Sequence, residues 1–450
     1  MRTKLLVMLV LVSVLFSACA QATPTAAPAT QAPAPAVPTA APTTAPTTAP
    51  ASVVLNVAVV DYVKGTTDTW LENTIVPAFK AQHPEVSDVQ FTWLTWGTYN
   101  DVLAGYFNTG TGPDIINFGS EYIAQYGSQL ADLTPYLGKD AWPDYAQYIP
   151  STMAGVTTAD GKLRGLPWLI APRAYMCNMT ELQAAGLTSV PTTYADWIKE
   201  AKSATIIKNN ALQQAGLVVT GKLDDWQEYI GLIWGLGGQL YNPDGTSNFS
   251  SKESQAALKF MYDRRRAEYP SETVADLPQT NGNRLSDGSA ACVLGNMWGF
   301  PAATDPVWNN IQLAPYPTDA DFPNSKPISM VFQDWLGIPA YSKNVALAAD
   351  FLKMLGSADN QFTYNKGFGS FPPRKDAWHD YTDTTLMKNI GNIMDQYGVA
   401  FSDVRDTAKL VTILQKEMPA YFTDQEDLAT AVANIDQQYT QALKDDGWIK

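Results

Sequence analysis

Apolar residues follow two rhythms along the first third of the globular body. Val53 to Val60 is an almost unbroken apolar run, which predicts a buried strand. "DTWLENTIVPAFKAQHP" then places Trp70, Ile75 and Phe79 on one helical face, with Pro77 working against the helix. Val89, Phe91 and Trp93 alternate as a second strand. Tyr99, Val102, Leu103 and Phe107 return to helical spacing, and "GTGPDIINF" supplies a glycine turn and a third, short strand. Strand, helix, strand, helix, strand predicts parallel α/β architecture. Further on, Thr192 or Thr193 is placed to cap a helix whose Tyr194, Trp197, Ile198 and Ala201 form one stripe. "SSKESQAALKFMYD" repeats the device, with Ala257, Leu258 and Met261 facing inward. Thr423 and Glu426 have the spacing of a capping box opening a last helix, with Leu428, Val432, Ile435 and Tyr439 as its seam. No repeat at a solenoid period is present.

The earliest apolar run is of another kind. Arg2 and Lys4 precede Leu5 to Phe16, a stretch of signal-peptide length that is too short to span a bilayer comfortably. Ser17, Ala18 and Cys19 follow, and together they resemble the lipobox of bacterial lipoproteins, with Phe16 where leucine is usual. That resemblance implies a signal peptide over 1–19 and an acylated Cys19; the other reading is a secretory signal cut near Ala20 or Ala22. Residues 20–51 hold only Ala, Gln, Thr, Pro and Val, with eight prolines, and cannot form a packed core. As an extended tether at about 3 Å per residue they reach on the order of 100 Å. The expected location is therefore outside the cytoplasm, at the cell surface or in the periplasm, held to the membrane by lipid alone.

Charge narrows the partners. Arg2 and Lys4 are the only charged residues before position 52, so the remainder carries 28 basic and 44 acidic residues, a net of −16. Nucleic acid and anionic lipid are excluded as main partners. Metal and cofactor chemistry has no support: His83 and His379 lie far apart, and Cys177 and Cys292 form no ligand cluster. Those two cysteines are either one disulfide or two buried thiols. Thirteen Trp and 21 Tyr exceed what a core alone demands and leave material for an aromatic-lined cleft.

Six segments in order then carry a resemblance. "GTGPDIINF", "GKLRGLPW" with "YMCNMTELQAAGL" and "VPTTYADWIKEAK", "GLGGQLYNPDG", "LSDGSAACVLGNMW", "WLGIPAYSKNVALAADFLKMLGS" and "GSFPPRKDA" together resemble the family 1 extracellular solute-binding proteins, the sugar-binding components of ABC importers. Cys177-Asn178 stands where that family has a tyrosine-asparagine pair, and Cys292 where it has methionine. The resemblance implies a two-lobed α/β periplasmic-binding-protein fold of the class II type, each lobe a sheet flanked by helices, with a ligand cleft that closes on its guest. It assigns 52–170 with 325–375 to the N-lobe and 175–320 with 380–450 to the C-lobe. It also implies a monomer that hands a carbohydrate to the membrane subunits of an ABC permease, without catalysis.

A sugar offers apolar C–H faces to aromatic rings and a fringe of hydroxyls to planar polar side chains. By that chemistry and the resemblance, Trp298 is expected to stack on the ligand, and Phe118, Glu121 and Tyr122 to line the N-lobe wall. Trp226 and Tyr229 stand before the Gly237-Gly238 turn. Asp224 and Asp225 read as hydroxyl acceptors or as a solvated turn. Trp168 and Arg173 flank the first crossing between lobes, and Gln333, Asp334 and Trp335 the second. Trp93 is assigned to strand core and Trp96 to the cleft; Asp114 is structural, and Trp378 is a weaker ligand candidate. Three rivals remain open: the same fold taking a polyamine, an anion or a metal complex; a secreted glycan-active enzyme, which needs two carboxylates at a set separation; and an adhesion or sensory lipoprotein. Replacing Trp298 by alanine is expected to weaken sugar binding on the order of tenfold with little loss of folding; an unchanged affinity in calorimetry removes Trp298 from the site.

Overall fold

The computed structural model describes residues 52–219, 225–277, 284–297, 306–378, 385–401 and 404–450. The signal and tether segments, Cys19, Asp224, Trp298 and His379 lie outside the described residues. The predicted apolar runs become strands β1 (Val53–Val60), β2 (Val86–Leu94) and β3 (Ile115–Gly119), and β1 pairs in parallel with both others. A crossover helix is needed for each parallel pair. The first, Thr67 to Gln82, widens into a π turn at Leu71–Ile75 just before Pro77, which has no N–H to close an ordinary turn there. The second is Tyr99–Thr109, closed by Gly110 at φ +63°.

β4 (Gly165–Asn178) is fourteen residues long and buried throughout. It is followed by β5 (Ile206–Lys208), β6 (Ala211–Val219), β7 (Ala290–Asn296), β8 (Ile311–Ala314), β9 (Ser329–Gly337) and β10 (Gly398–Ala400). The sheet runs β2-β1-β3-β9-β4-β7-β6-β5, with β8 added to β4 and β10 to β9. β4 and β9 are antiparallel, with Leu166 opposite Leu336 at one end and Arg173 opposite Met330 at the other.

Two large hydrophobic cores sit on this pair. Leu166, Trp168 and Leu169 of β4 and Trp335 and Leu336 of β9 enter the first, with Leu55, Phe79, Leu103 and Ile116. Tyr175 and Cys177 of β4 and Met330 and Phe332 of β9 enter the second, with Trp197, Tyr229, Leu258 and Ile435. A smaller cluster around Ile170, Ala174, Phe371 and Ile390 lies at the junction. The chain thus changes core between Leu169 and Tyr175 and again between Phe332 and Trp335. Ile328, Met330 and Phe332 belong to the second core although the N-lobe was expected to resume at 325, because β9 must pair with β4 through both bodies.

Helix ends follow local chemistry. Thr193 Oγ1 accepts from the Asp196 N–H at 3.1 Å, and Ser251 Oγ from that of Ser254 at 3.3 Å. The expected capping box fails: Thr423 ends the preceding helix, and Asp427 caps Leu428–Asp445 by accepting from the Thr430 N–H at 2.7 Å. Asp424 at φ +58° separates the two helices, so Thr423 has no extended backbone from which to cap the next. Val432, Ile435 and Tyr439 form the buried seam as expected.

Cys177 and Cys292 face each other across β4 and β7 and are joined, with Sγ–Sγ 2.04 Å. The bond closes a sequence separation of 115 residues within the second core. By loop-closure entropy it is worth roughly 4 to 5 kcal/mol. A Cys177→Ala, Cys292→Ala protein is expected to melt several degrees below the oxidised form, and dithiothreitol to lower the native Tm but not the variant's; equal melting curves would remove the bond from the stability of the fold.

Candidate functional site

The junction of the two bodies is where polar groups gather. Side chains alternate along a strand, so Met330, Phe332, Asp334 and Leu336 share one face of β9, and Arg173, opposite Met330, shares it from β4. On one edge of β9, β3 ends with Gly119 opposite Asp334 and β10 ends with Ala400 opposite Val331. Strands from both lobes therefore point at each other across Phe332 and Gln333. Ser120 Oγ clasps this place, donating to the Gln333 carbonyl at 2.9 Å and accepting from its N–H at 2.7 Å.

The N-lobe contribution sits at the carboxyl ends of its parallel strands, where open α/β sheets hold ligands. Asp334, 2% exposed, accepts at Oδ2 from Tyr62 Oη at 2.5 Å and Asn117 Nδ2 at 2.9 Å. Asn117 Oδ1 in turn accepts from the Val60 N–H at 3.2 Å, and Tyr99 Oη donates to the Asn117 carbonyl at 2.5 Å. Burial pushes the Asp334 carboxyl up to about 7, with the Tyr62 and Asn117 bonds acting the other way. Glu121, on the turn Ser120–Tyr122, is likewise pushed up to about 7 by burial, with Asp334 adding to the rise. Its carboxylate folds back over Gly119, where an added Cβ would come within 2.7 Å of Oε2. Trp96 lies just past β2, 42% exposed, its ring 4.6 Å from Tyr99 and 6.4 Å from Tyr62.

The C-lobe contribution centres on Arg173, which is 1% exposed. Its guanidinium donates to Asp225 Oδ2 and, at 3.0 Å, to Gln227 Oε1. Asp225 also caps the helix Trp226–Gly235 by accepting from the Glu228 N–H at 2.7 Å. Burial raises the Asp225 carboxyl to about 6 despite the opposing pull of Arg173. Half-buried Trp226 lies 5.8 Å from Phe401, which stacks on Phe332 at 4.7 Å. The lobes also sense each other across the junction: burial first, and then the Asp406 carboxylate, raise the Tyr126 phenol above its ordinary value.

The expected residues thus divide. Trp96 and Asp334 gather around Tyr62, with Glu121 close by, on the N-lobe side of the junction, and Arg173 and Trp226 around Asp225 on the other. Phe118 and Trp335 are fully buried and stack on each other at 4.5 Å, while the Trp335 indole donates to the Gly119 carbonyl at 2.9 Å. Trp168 is fully buried 4.1 Å from Tyr364, and Tyr229 lies inside the second core, bonded to Ser254 Oγ at 2.7 Å. Tyr122 is buried and donates to Asn100 Oδ1 at 2.6 Å. Gln333 points to the opposite face of β9, toward the Thr152 carbonyl at 3.2 Å, and Trp378 packs there beside Phe371. Asp114 ties β1 to the loop after β9, accepting from the Asn56 N–H at 3.0 Å and Ser342 Oγ at 2.7 Å. Tyr62, Asn117 and Gln227 had not been anticipated; Asn117 was detectable only as a polar residue inside an otherwise apolar strand, and Tyr62 only as an aromatic just past one. Among the described residues no group of three or more His, Cys, Asp or Glu side chains is placed to hold a metal ion.

The sequence profile of the bacterial extracellular solute-binding proteins matches residues 64–362. The chain belongs to this family. The solute-binding protein is 25% identical over 338 residues to the diacetylchitobiose-binding protein DasA of Streptomyces coelicolor, covering 72% of this chain and 73% of DasA. It is 25% identical over 185 residues to the binding protein BAB2_0491 of Brucella abortus, covering 40% of this chain but only 43% of that relative's length. In structure it resembles T. maritima MalE3, solved with maltose bound, at TM-score 0.68 and 20% identity, over 87% of this chain and all (100%) of MalE3. That likeness shows a shared fold, a mixed α/β sheet flanked by helices.

The raised Asp334 pKa has a definite sign. Its proton is held more tightly in the folded state, so its contribution to stability is full below the ordinary value of 3.8 and is lost as pH rises toward about 7. In thermal melts the Asp334→Asn protein is expected to gain on the wild type between pH 4 and 7 and to hold that gain above. A difference that does not change with pH would place no titration at Asp334.

Proposed function

We propose that the protein captures a carbohydrate in the interlobe cleft, closes on it by rotation at the β4–β9 junction, and delivers it unchanged to the membrane subunits of an ABC importer. The observation that carries this is the placement, on one face of the β4–β9 pair, of planar polar groups from both lobes, Asp334 at one end and Arg173 at the other, with the exposed Trp96 indole near the first. Trp96 offers a ring face to the sugar; Glu121 and Asp334 accept from hydroxyls on the first wall. Arg173, held flat by Asp225 and Gln227, and the Trp226 ring serve the second wall, where Trp298 is assigned a stacking role by the family resemblance. Supporting the choice of ligand, DasA is named for diacetylchitobiose and MalE3 was solved with maltose. The lobes in this reading are those expected from the sequence, 52–170 with 325–375 and 175–320 with 380–450, except that the second crossing moves from 325 to the stretch of β9 after Phe332.

Acylation of Cys19 and the tether over 20–51 would keep this monomeric trap outside the cytoplasm, beside its permease and free to swing. Closure buries polar groups in a low-dielectric site, where hydrogen bonds to a sugar gain strength only if every partner is satisfied. This favours a neutral, hydroxyl-rich guest over a polyamine or an anion, because the carboxyls at the site are already partly neutralised by burial.

The test is a thermal-shift screen of the body, residues 52–450, against mono- and oligosaccharides. A cognate sugar at a hundred times its Kd is expected to stabilise the fold by about 2.7 kcal/mol, and Trp96→Ala to reduce that shift markedly. Chromatography of the recovered sugar should show it intact. Stabilisation by polyamines or anions alone, or conversion of the sugar, would overturn the proposal.

A further inference from the structure

Helix Trp226–Gly235 carries a second indole eight residues after the first. At about 100° per residue, Trp226 and Trp234 lie about 80° apart around the helix and about 12 Å apart along it. Both flank the same buried ring: Trp226 is 5.8 Å and Trp234 5.6 Å from Phe401. Each is half-buried, so each keeps part of its indole open to solvent.

Beyond Trp234 the surface does not close. A groove of about 480 Å³ runs between the turn after the helix, the segment 324–328 and the edge of β10, lined by Gln239, Tyr241, Asn324 and Lys326 with Val399 and Ala400. The paired glycines shape its wall. Gly237 turns the chain at φ +83° and passes so close to Asn324 that an added Cβ would lie 2.6 Å from that residue's own. A Cβ on Gly238 would strike Glu253 Cβ at 2.7 Å. Two amides, one phenol and one ammonium beside an indole do not suit a highly charged ligand. They suit one with apolar faces and many hydroxyls.

We infer that this groove is a distal subsite for a linear oligosaccharide whose other end occupies the cleft, with the half-buried rings of Trp226 and Trp234, both seated on buried Phe401, as the track between them. The inference rests on the carbohydrate reading above and refines it: the ligand is a chain, since one sugar ring cannot bridge the spacing of the two indoles. Trp234 provides the second stacking face. Gln239 and Asn324, both exposed, engage hydroxyls with little desolvation cost.

The test is calorimetry of residues 52–450 with malto-, chito- and manno-oligosaccharides from di- to hexasaccharide. In the series that binds, affinity is expected to rise with length. Trp234→Ala should cut the ratio of hexasaccharide to disaccharide affinity by about tenfold. Because Trp234 also covers Phe401, a Gln239→Ala, Asn324→Ala protein supplies an independent arm and should flatten the same rise. Equal affinity for di- and hexasaccharide in the wild type, or an unaltered length dependence in either variant that melts like the wild type, overturns the distal subsite alone. Failure of every saccharide to bind overturns the carbohydrate reading and the subsite with it.

Discussion

The antiparallel pairing of β4 with β9 is the constraint on which the rest of the molecule depends. Both strands run through the two bodies and deliver alternate side chains to two different cores. Trp168 and Trp335 fill one end, and Tyr175 and Phe332 the other. Each lobe therefore gains its central strands from chain that also belongs to its neighbour. Between these ends, where neither large core claims the side chains, Arg173, Gln333 and Asp334 stand beside the smaller apolar cluster of Ile170 and Ala174.

Most of those polar groups are tolerated there because they are answered, although Arg173 Nε is buried without a hydrogen-bond partner among the described residues. A buried ion pair such as Arg173 with Asp225 contributes little net stability, since desolvation offsets much of its attraction. Breaking it is another matter, for a lone buried charge costs about 3 to 5 kcal/mol. The pair holds a guanidinium in one orientation beside Gln227 and anchors the start of the helix that bears Trp226. Asp334 is arranged differently, facing a phenol and an amide rather than a cation, which is why burial prevails and its carboxyl rises. One side of the junction thus carries an ion pair and the other a carboxyl raised by burial.

Much of the fold was legible because periodicity reports burial. The alternation in β2 separated Trp93 from Trp96, and the three parallel strands were visible as apolar runs bounded by turns. The site was less legible, because an aromatic residue carries no mark of what it stacks on. Phe118 and Trp335 use their ring faces on each other, as Trp168 does with Tyr364, whereas Trp96 keeps much of its surface. Asp225 read as a hydroxyl acceptor or a solvated turn, yet it is buried; its capping of the following helix is local, whereas its bond to Arg173, 52 residues away in sequence, has no local signature. Tyr62 was passed over for the same reason, its partner Asp334 lying 272 residues downstream. The second indole of the Trp226–Gly235 helix was countable from the start, but only Phe401 reveals that both rings occupy one strip.

The head-on approach of β3 and β10 along one edge of β9 limits what motion the lobes can perform. Sliding β9 by a single residue would turn Phe332 and Asp334 to the wrong side and expose half of each core. Translation is therefore forbidden, while a change of backbone angle over a few peptide units is not. In the proposed mode of action the lobes would turn like pages about a fixed spine, so that guests of different girth meet different angles and never a shifted alignment of the walls.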